Sequence, residues 1–293
     1  MSTNIVILNS FDRSGSSVIA RTLASHPQIE LLFQPFNSGS IRRKMNIVLT
    51  DDSASEEDRH FFVELNQGRF DRDYVESGWF EKYSTADRII PGKLTIIKTT
   101  LNHLTISWVQ NNFPNIHFWG IWRDPYDILA SLIRNDFYNK WFKTAAEQLI
   151  TTISCSPEEF PPFFANKHHF LNGRPARIIA WILSVRNYYF FDRLNKHQLL
   201  DYEQFKFHPT SELDRIQQAY NLARFRWPNP LEKDLNVVGK PWVAGGDYKS
   251  HIPVEDQEYI DNLFEPLIRL REVRFGVPSR SCRSTNERET QND

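Results

Sequence analysis

Two cysteines in 293 residues, Cys155 and Cys282, are too few and too far apart for a disulfide framework. A reducing compartment suits such a chain, and a cytoplasmic location is the expectation. An excess of charge of one sign is also missing. The 35 basic and 36 acidic residues leave a net charge of −1, so nothing draws the whole surface toward nucleic acid or an anionic membrane. Any anion site has to be local. No stretch approaches the ~20 apolar residues that span a bilayer. The apolar run near the N-terminus, Ile5 to Leu8, is only four residues long without a basic flank. It reads as a buried strand and not as a leader. Glycine is scarce, at 11 residues, so each one is expected where the backbone needs it. His168-His169 has no partner at metal-ligand spacing, and no metal site is expected.

What is present is ordinary globular material, 40% hydrophobic and rich in aromatics. After the first strand, helical spacing runs from Val18 to Ser25 and stops at His26-Pro27, because the residue before proline is pushed out of the helical region. Strands are expected at Ile29 to Phe33, Lys93 to Lys98, Ile116 to Trp122 and Gln198 to Tyr202. Helices are expected at Leu101 to Phe113, after Arg123-Asp-Pro125, at Phe142 to Ile153, at Pro175 to Lys196 with its apolar residues on one side, at Ser211 to Ala223 and at Glu255 to Arg271. This alternation predicts an α/β fold with a mainly parallel sheet flanked by helices. Residues 1–278 read as one domain. Residues 37–90 read as an insertion over the sheet edge, on the acceptor side, and 279–293 as a disordered polar tail.

Two strand-to-helix junctions carry anion-binding chemistry. In Ser10-Phe-Asp-Arg-Ser-Gly-Ser-Ser17, Gly15 lets backbone amides curl around an oxyanion, and the helix start adds unpaired N–H groups. Ser14, Ser16 and Ser17 add hydroxyls, and Arg13 a fixed charge. The nucleotide-triphosphatase pattern is absent, since its Lys and second Gly are missing. A serine-rich turn without a ligand is the plain alternative. In Arg123-Asp-Pro-Tyr-Asp-Ile-Leu-Ala-Ser131 a cation ends a strand and a hydroxyl follows two turns into a helix. The plain alternative is an ion pair of Arg123 with Asp124 or Asp127.

Together the two segments resemble the family of sulfotransferases that use 3′-phosphoadenosine 5′-phosphosulfate, in the carbohydrate and bacterial branch. The first is similar to that family's 5′-phosphosulfate loop, with Leu23-Ala-Ser-His-Pro27 and Phe33-Gln-Pro35 extending the likeness. The second is similar to its 3′-phosphate site. Leu199-Leu-Asp-Tyr-Glu-Gln-Phe205 and Gly245-Gly-Asp-Tyr-Lys-Ser-His251 resemble two further motifs, in family order. The resemblance implies a P-loop-like fold and transfer of a sulfuryl group to a hydroxyl or amine acceptor, carbohydrate being one class, without a metal. Arg13, Ser14, Gly15, Ser16 and Ser17 would hold the 5′-phosphosulfate. Arg123 and Ser131 would hold the 3′-phosphate, with Tyr202 beside the nucleotide and Gly245, Gly246 and Lys249 closing over it.

The resemblance names Arg13, Lys98 and His103 as the catalytic set. Arg13 would steady charge on the leaving phosphate, Lys98 the transferring oxygens, and His103 would act as base. His103 stands three positions beyond the family's histidine, at which this chain has Thr100. Gln34 stands where many relatives carry a glutamate, and a neutral amide is no base. Two rival readings remain: a nucleotide-binding protein of this fold that has lost catalysis, and a P-loop kinase-like phosphotransferase.

Overall fold

The computed structural model describes residues 4–35, 48–70, 75, 78–100, 103–165, 173–229 and 251–276. Gly245, Gly246 and Lys249, the His168-His169 pair and the 279–293 tail lie outside the described residues.

Among the described residues, five parallel strands form one sheet in the order β2-β3-β1-β4-β5. They are β1 (Ile5–Ser10), β2 (Ile29–Phe33), β3 (Leu94–Thr99), β4 (Ile116–Trp122) and β5 (Leu199–Asp201). β1 is central, pairing with β3 on one side and β4 on the other. Its six residues are all buried, as helices covering both faces require. Ile5 and Ile7 enter one apolar cluster, Val6 and Leu8 another on the opposite face.

The helices are α1 (Ser16–Leu23), α2 (Glu56–Asn66), α3 (Gly78–Tyr83), α4 (Ile106–Asn112), α5 (Pro125–Arg134), α6 (Lys143–Cys155), α7 (Pro162–Ala165), α8 (Pro175–Arg193), α9 (Tyr202–Phe207), α10 (Pro209–Ala219) and α11 (Val254–Phe275). The result is an α/β fold with a parallel sheet flanked by helices. Among the described residues no helix is long and apolar enough to cross a membrane.

Four local readings change. First, β1 runs on through Asn9 and Ser10, which keep their places opposite Thr99, Gly120 and Ile121. Polar side chains end the apolar run there, but they do not end the ladder. Second, the last strand stops at Asp201. Its carboxylate accepts the amides of Glu203 and Gln204 and starts α9, so Tyr202 opens a helix. Third, the helix after β3 begins as a 3₁₀ turn, His103–Thr105. Fourth, α8 is buried on every side and not along one stripe, from Ala176 through Phe191. A helix apolar nearly all round is an interior helix, and it carries Arg186 inside with it.

Within the 37–90 stretch, Ser55 and Asp58 form a capping box that starts α2. Phe61, Phe62 and Leu65 then anchor α2 in the core. The segment after α3 lies along β2. Ser84 Oγ and Thr85 Oγ1 accept from the amides of Phe33 and Leu31, at 2.9 and 2.8 Å, and the Thr85 amide donates to Leu31 O. This closes the open edge of the sheet.

One close approach fixes the height of α8 over the sheet. A Cβ on Gly120 would lie 2.1 Å from the ring of Phe190, so α8 rests directly on β4 there. Arg186 stands about one turn earlier in α8, toward the carboxyl ends of the strands.

Candidate functional site

The chain leaves β1 through α1 toward β2, and leaves β4 through α5 toward β5 at the opposite side of the sheet. The two connections diverge, so a crevice opens at the carboxyl ends of β1 and β4. In open α/β sheets ligands bind at such a switch point. Both segments singled out from the sequence leave their strands here.

In the first segment the backbone turns sharply. Arg13 has φ 67° and Gly15 φ 86°, both left-handed. The Gly15 carbonyl accepts the amides of Val18 and Ile19. The amides of Ser16 and Ser17, in the first turn of α1, have no intrahelical acceptor and sit at the positive end of the helix dipole. Gly15 is required twice over. Besides its φ, the ring of Tyr202 lies against it, leaving no room for a side chain.

In the second segment Asp124 caps α5 by accepting the Tyr126 amide, and Pro125 occupies the first helical position. Arg123 reaches back to the first segment. Its Nη1 donates to the carbonyl of Arg13 at 2.9 Å, its Nη2 lies 3.5 Å from the Asp127 carboxylate, and its guanidinium packs 5.1 Å from the Tyr202 ring centre. Arg13 returns the contact, with Nε donating to Ser131 Oγ at 3.0 Å. The ion pair expected as the plain alternative is present, and so is the bridge between segments 110 residues apart.

Two guanidiniums this close repel, and burial with Arg123 nearby lowers the Arg13 pKa; arginine keeps its proton even so. Burial lifts the Asp127 carboxyl to about 6 against the pull of Arg123. Three buried donors here have no hydrogen-bond partner among the described residues: Asn9 Nδ2, Ser14 Oγ and Arg123 Nε. Orphaned buried polar groups are rare in folded proteins, and an anion between the segments would supply acceptors. Arg13, Gly15, Arg123, Ser131 and Tyr202 thus meet at one place, with Ser14, Ser16 and Ser17 on the same loop.

Of the remaining catalytic expectations, Lys98 lies on β3, on the other side of β1, and His103 follows β3 in the chain and packs against Phe190 of α8. Lys98 is 2% exposed, with its ammonium 4.9 Å from the Phe33 ring centre. Burial lowers its pKa to about 8, and the Asp12 carboxylate opposes that. Asp12 hydrogen-bonds Thr100; burial raises its pKa, while Lys98, Arg186 and Arg13 pull it down. Arg186, also 2% exposed, lies over the ring of Phe11. Burial lowers its pKa to about 10, with Asp12 as the opposing charge.

His103 is fully buried between Phe11 and Phe190, its ring centre 6.0 and 5.3 Å from theirs. Neither ring nitrogen has a hydrogen-bond partner among the described residues. Burial first, and then Arg186, hold its pKa well below the usual histidine value. Gln34, left-handed at φ 50°, donates its amide to Lys98 O at the end of β2.

Asp12 and Arg186 were missed in the sequence, although each left a signal. Asp12 puts a carboxylate inside an anion-binding loop, a conflict that calls for cations beside it. Arg186 is a charge within an apolar helix. Among the described residues no group of three or more His, Cys, Asp or Glu side chains is placed to hold a metal.

No protein-family model matches this chain, and no curated protein does either. Among solved structures, a sulfotransferase from Alicyclobacillus acidocaldarius aligns over 97% of this chain and 99% of its own, at 12% identity and a TM-score of 0.47.

Proposed function

We propose that this chain binds 3′-phosphoadenosine 5′-phosphosulfate across the β1–β4 crevice and transfers its sulfuryl group to a hydroxyl or amine acceptor. One observation carries the reading: Arg123 donates to the Arg13 carbonyl while Arg13 donates to Ser131. The two anion-binding segments therefore form one site. The motif order in the sequence supplies the identity of the nucleotide.

The residues fit the task. On this reading the amides of Ser16 and Ser17, the Ser14 hydroxyl and Arg13 hold the 5′-phosphosulfate, and Arg123 and Ser131 hold the 3′-phosphate. Charge grows on the bridging oxygen of the leaving phosphate, where fixed donors are worth most because they need no reorganisation. Arg13 stands at that end of the site. Lys98 faces the transferring oxygens from β3. Gly245, Gly246 and Lys249 keep the closing role that the sequence suggested.

The test is isothermal titration with the desulfated nucleotide, 3′-phosphoadenosine 5′-phosphate. Arg123→Ala should weaken binding by about 1.5–3 kcal/mol, the range for hydrogen bonds to charged groups. Unchanged affinity would remove Arg123 from the site. Transfer of radiolabelled sulfate onto a panel of sugar, phenol and amine acceptors then separates an enzyme from a binding protein that has lost catalysis.

A further inference from the structure

We infer that Asp12 takes the acceptor's proton, and that the acceptor reaches the Arg13 loop from the β3 side, opposite Arg123 and Ser131. This rests on the transfer reading above and goes beyond it in naming the base and the direction of approach.

β1 has β4 on one side and β3 on the other. Arg13 turns toward β4, where it meets Ser131 and Arg123. The preceding residue, Asp12, turns toward β3, where it hydrogen-bonds Thr100 and faces Lys98. Adjacent residues of one loop thus address opposite sides of the place where the reacting group sits. In a displacement at sulfur, as at phosphorus, the entering and leaving oxygens lie roughly in line on opposite sides of the atom attacked. With the nucleotide anchored on the β4 side, the entering oxygen comes from the β3 side.

The groups facing Asp12 are Lys98 from β3, Arg186 from α8 and Arg13 from its own loop, with the Thr100 hydroxyl. The Asp12 carboxylate acts on both Lys98 and Arg186. The cations keep it ionised at rest, and burial makes it readier to accept a proton than an exposed aspartate. A carboxylate that is ionised yet readier than usual to take a proton is what a general base requires. His103 is near, between Phe11 and Phe190, but charging its ring places an imidazolium beside the Arg186 guanidinium in a dry setting. The neutral ring, with both nitrogens unbonded among the described residues, is a hydrogen-bonding partner for the acceptor and a poor base.

The step balances. The acceptor O–H bond breaks and its proton goes to an Asp12 carboxylate oxygen. The freed electron pair forms the new O–S bond. The bond from sulfur to the bridging phosphate oxygen breaks, and its pair remains on the phosphate beside Arg13. Asp12 then returns the proton to solvent.

The experiment uses the full chain and Asp12→Asn in two assays. In the first, 3′-phosphoadenosine 5′-phosphate is titrated near pH 6 in buffers of different ionisation enthalpy. Seating a phosphate next to Asp12 raises its proton affinity, so the wild type takes up more protons than Asp12→Asn, while Asp12→Asn binds as tightly or tighter. Asp127 and the phosphate titrate near that pH, and the difference between the two proteins cancels them. In the second, sulfate transfer from the radiolabelled donor to water and to 4-nitrophenyl glycosides falls about 10²–10⁴-fold in Asp12→Asn. The acidic limb of its pH profile is lost, whereas His103→Gln keeps that limb.

Equal proton uptake, or a rate within threefold with the same acidic limb, overturns the role of Asp12 while the nucleotide site stands. A wild type that does not bind the nucleotide overturns the site itself. A wild type that binds but transfers to nothing, water included, overturns the transfer reading and the base with it. Melting curves check the fold. If Asp12→Asn unfolds, Asp12→Glu carries the comparison, retaining the acidic limb at a reduced rate.

Discussion

Replacing Gly15 by alanine isolates the feature that holds the anion loop in shape. Two costs add. At φ 86° an L-residue is left-handed, which costs about 1–2 kcal/mol. The new Cβ also falls 2.0 Å from Tyr202 Cε2 and 2.5 Å from Cδ2. No carbon tolerates that distance, so the ring has to leave, at the roughly 1–3 kcal/mol typical of overpacking. Gly15→Ala should therefore destabilise the protein by about 2–5 kcal/mol in total. Urea unfolding measures this as a shift of midpoint at constant slope. The two costs separate in a double-mutant cycle. In a Tyr202→Ala background the collision is gone, and Gly15→Ala should cost only the ~1–2 kcal/mol of the backbone. An equal cost in both backgrounds would refute the contact between loop and ring. With it would go the idea that Tyr202, which opens α9 at the end of β5, ties that strand to the loop.

Two further predictions concern charge. Arg271 pairs with Asp201, both nearly buried, and Asp201 also caps α9; Arg271→Ala leaves that carboxylate without its cation and should cost about 3–5 kcal/mol in urea unfolding, a loss below 1 kcal/mol counting against the pairing. Lys98 has its folded pKa near 8, below that of an unfolded lysine, so the unfolded chain binds more protons between about pH 8 and 10.4 and stability rises with pH across that window. Lys98→Met should flatten the rise, which for the isolated group approaches roughly 3 kcal/mol; an equal rise in both proteins would mean that Lys98 is not desolvated.

How much of this was legible in the sequence depends on whether the signal was local. Ile29–Phe33 and Ile116–Trp122 were read to the residue, because a strand buried on both faces writes a mostly apolar run, which Glu30 breaks once in the first and His117 and Gly120 break in the second. The start of α5 was clear from Pro125, whose missing N–H costs nothing in a first turn. Boundaries held by a polar side chain were not legible. Asn9 and Ser10 extend β1 because neighbouring strands reach that far, and Asp201 ends β5 because its carboxylate finds two amides. The surroundings of α8 were hidden for the same reason, since a helix pattern names its apolar residues but not how many neighbours cover them. Arg186 and Asp12 belong to that class. Each looks misplaced in its own segment, and only the packing of α8 on Gly120 brings them to the same corner.

That corner accounts for a charge pattern that local reasoning finds contradictory. A loop built to hold an anion gains nothing from a carboxylate beside its arginine, and an interior helix gains nothing from a guanidinium. Stability alone would favour apolar side chains at both positions, since the cost of burying such ions often exceeds what their attraction returns. Lys98 adds a third ion to the same account. The arrangement makes sense if the three charges are set against a reaction that moves charge across β1. As negative charge builds on the phosphate near Arg13, a positive charge leaves the acceptor for Asp12. Cations fixed at Lys98 and Arg186 keep the carboxylate ionised until that moment, and its half-buried position lets it take the proton when it comes and pass it on to solvent. Local oddities in the sequence and buried ions in the fold then have one cause, a proton that has to be moved on the side of β1 that the nucleotide leaves free.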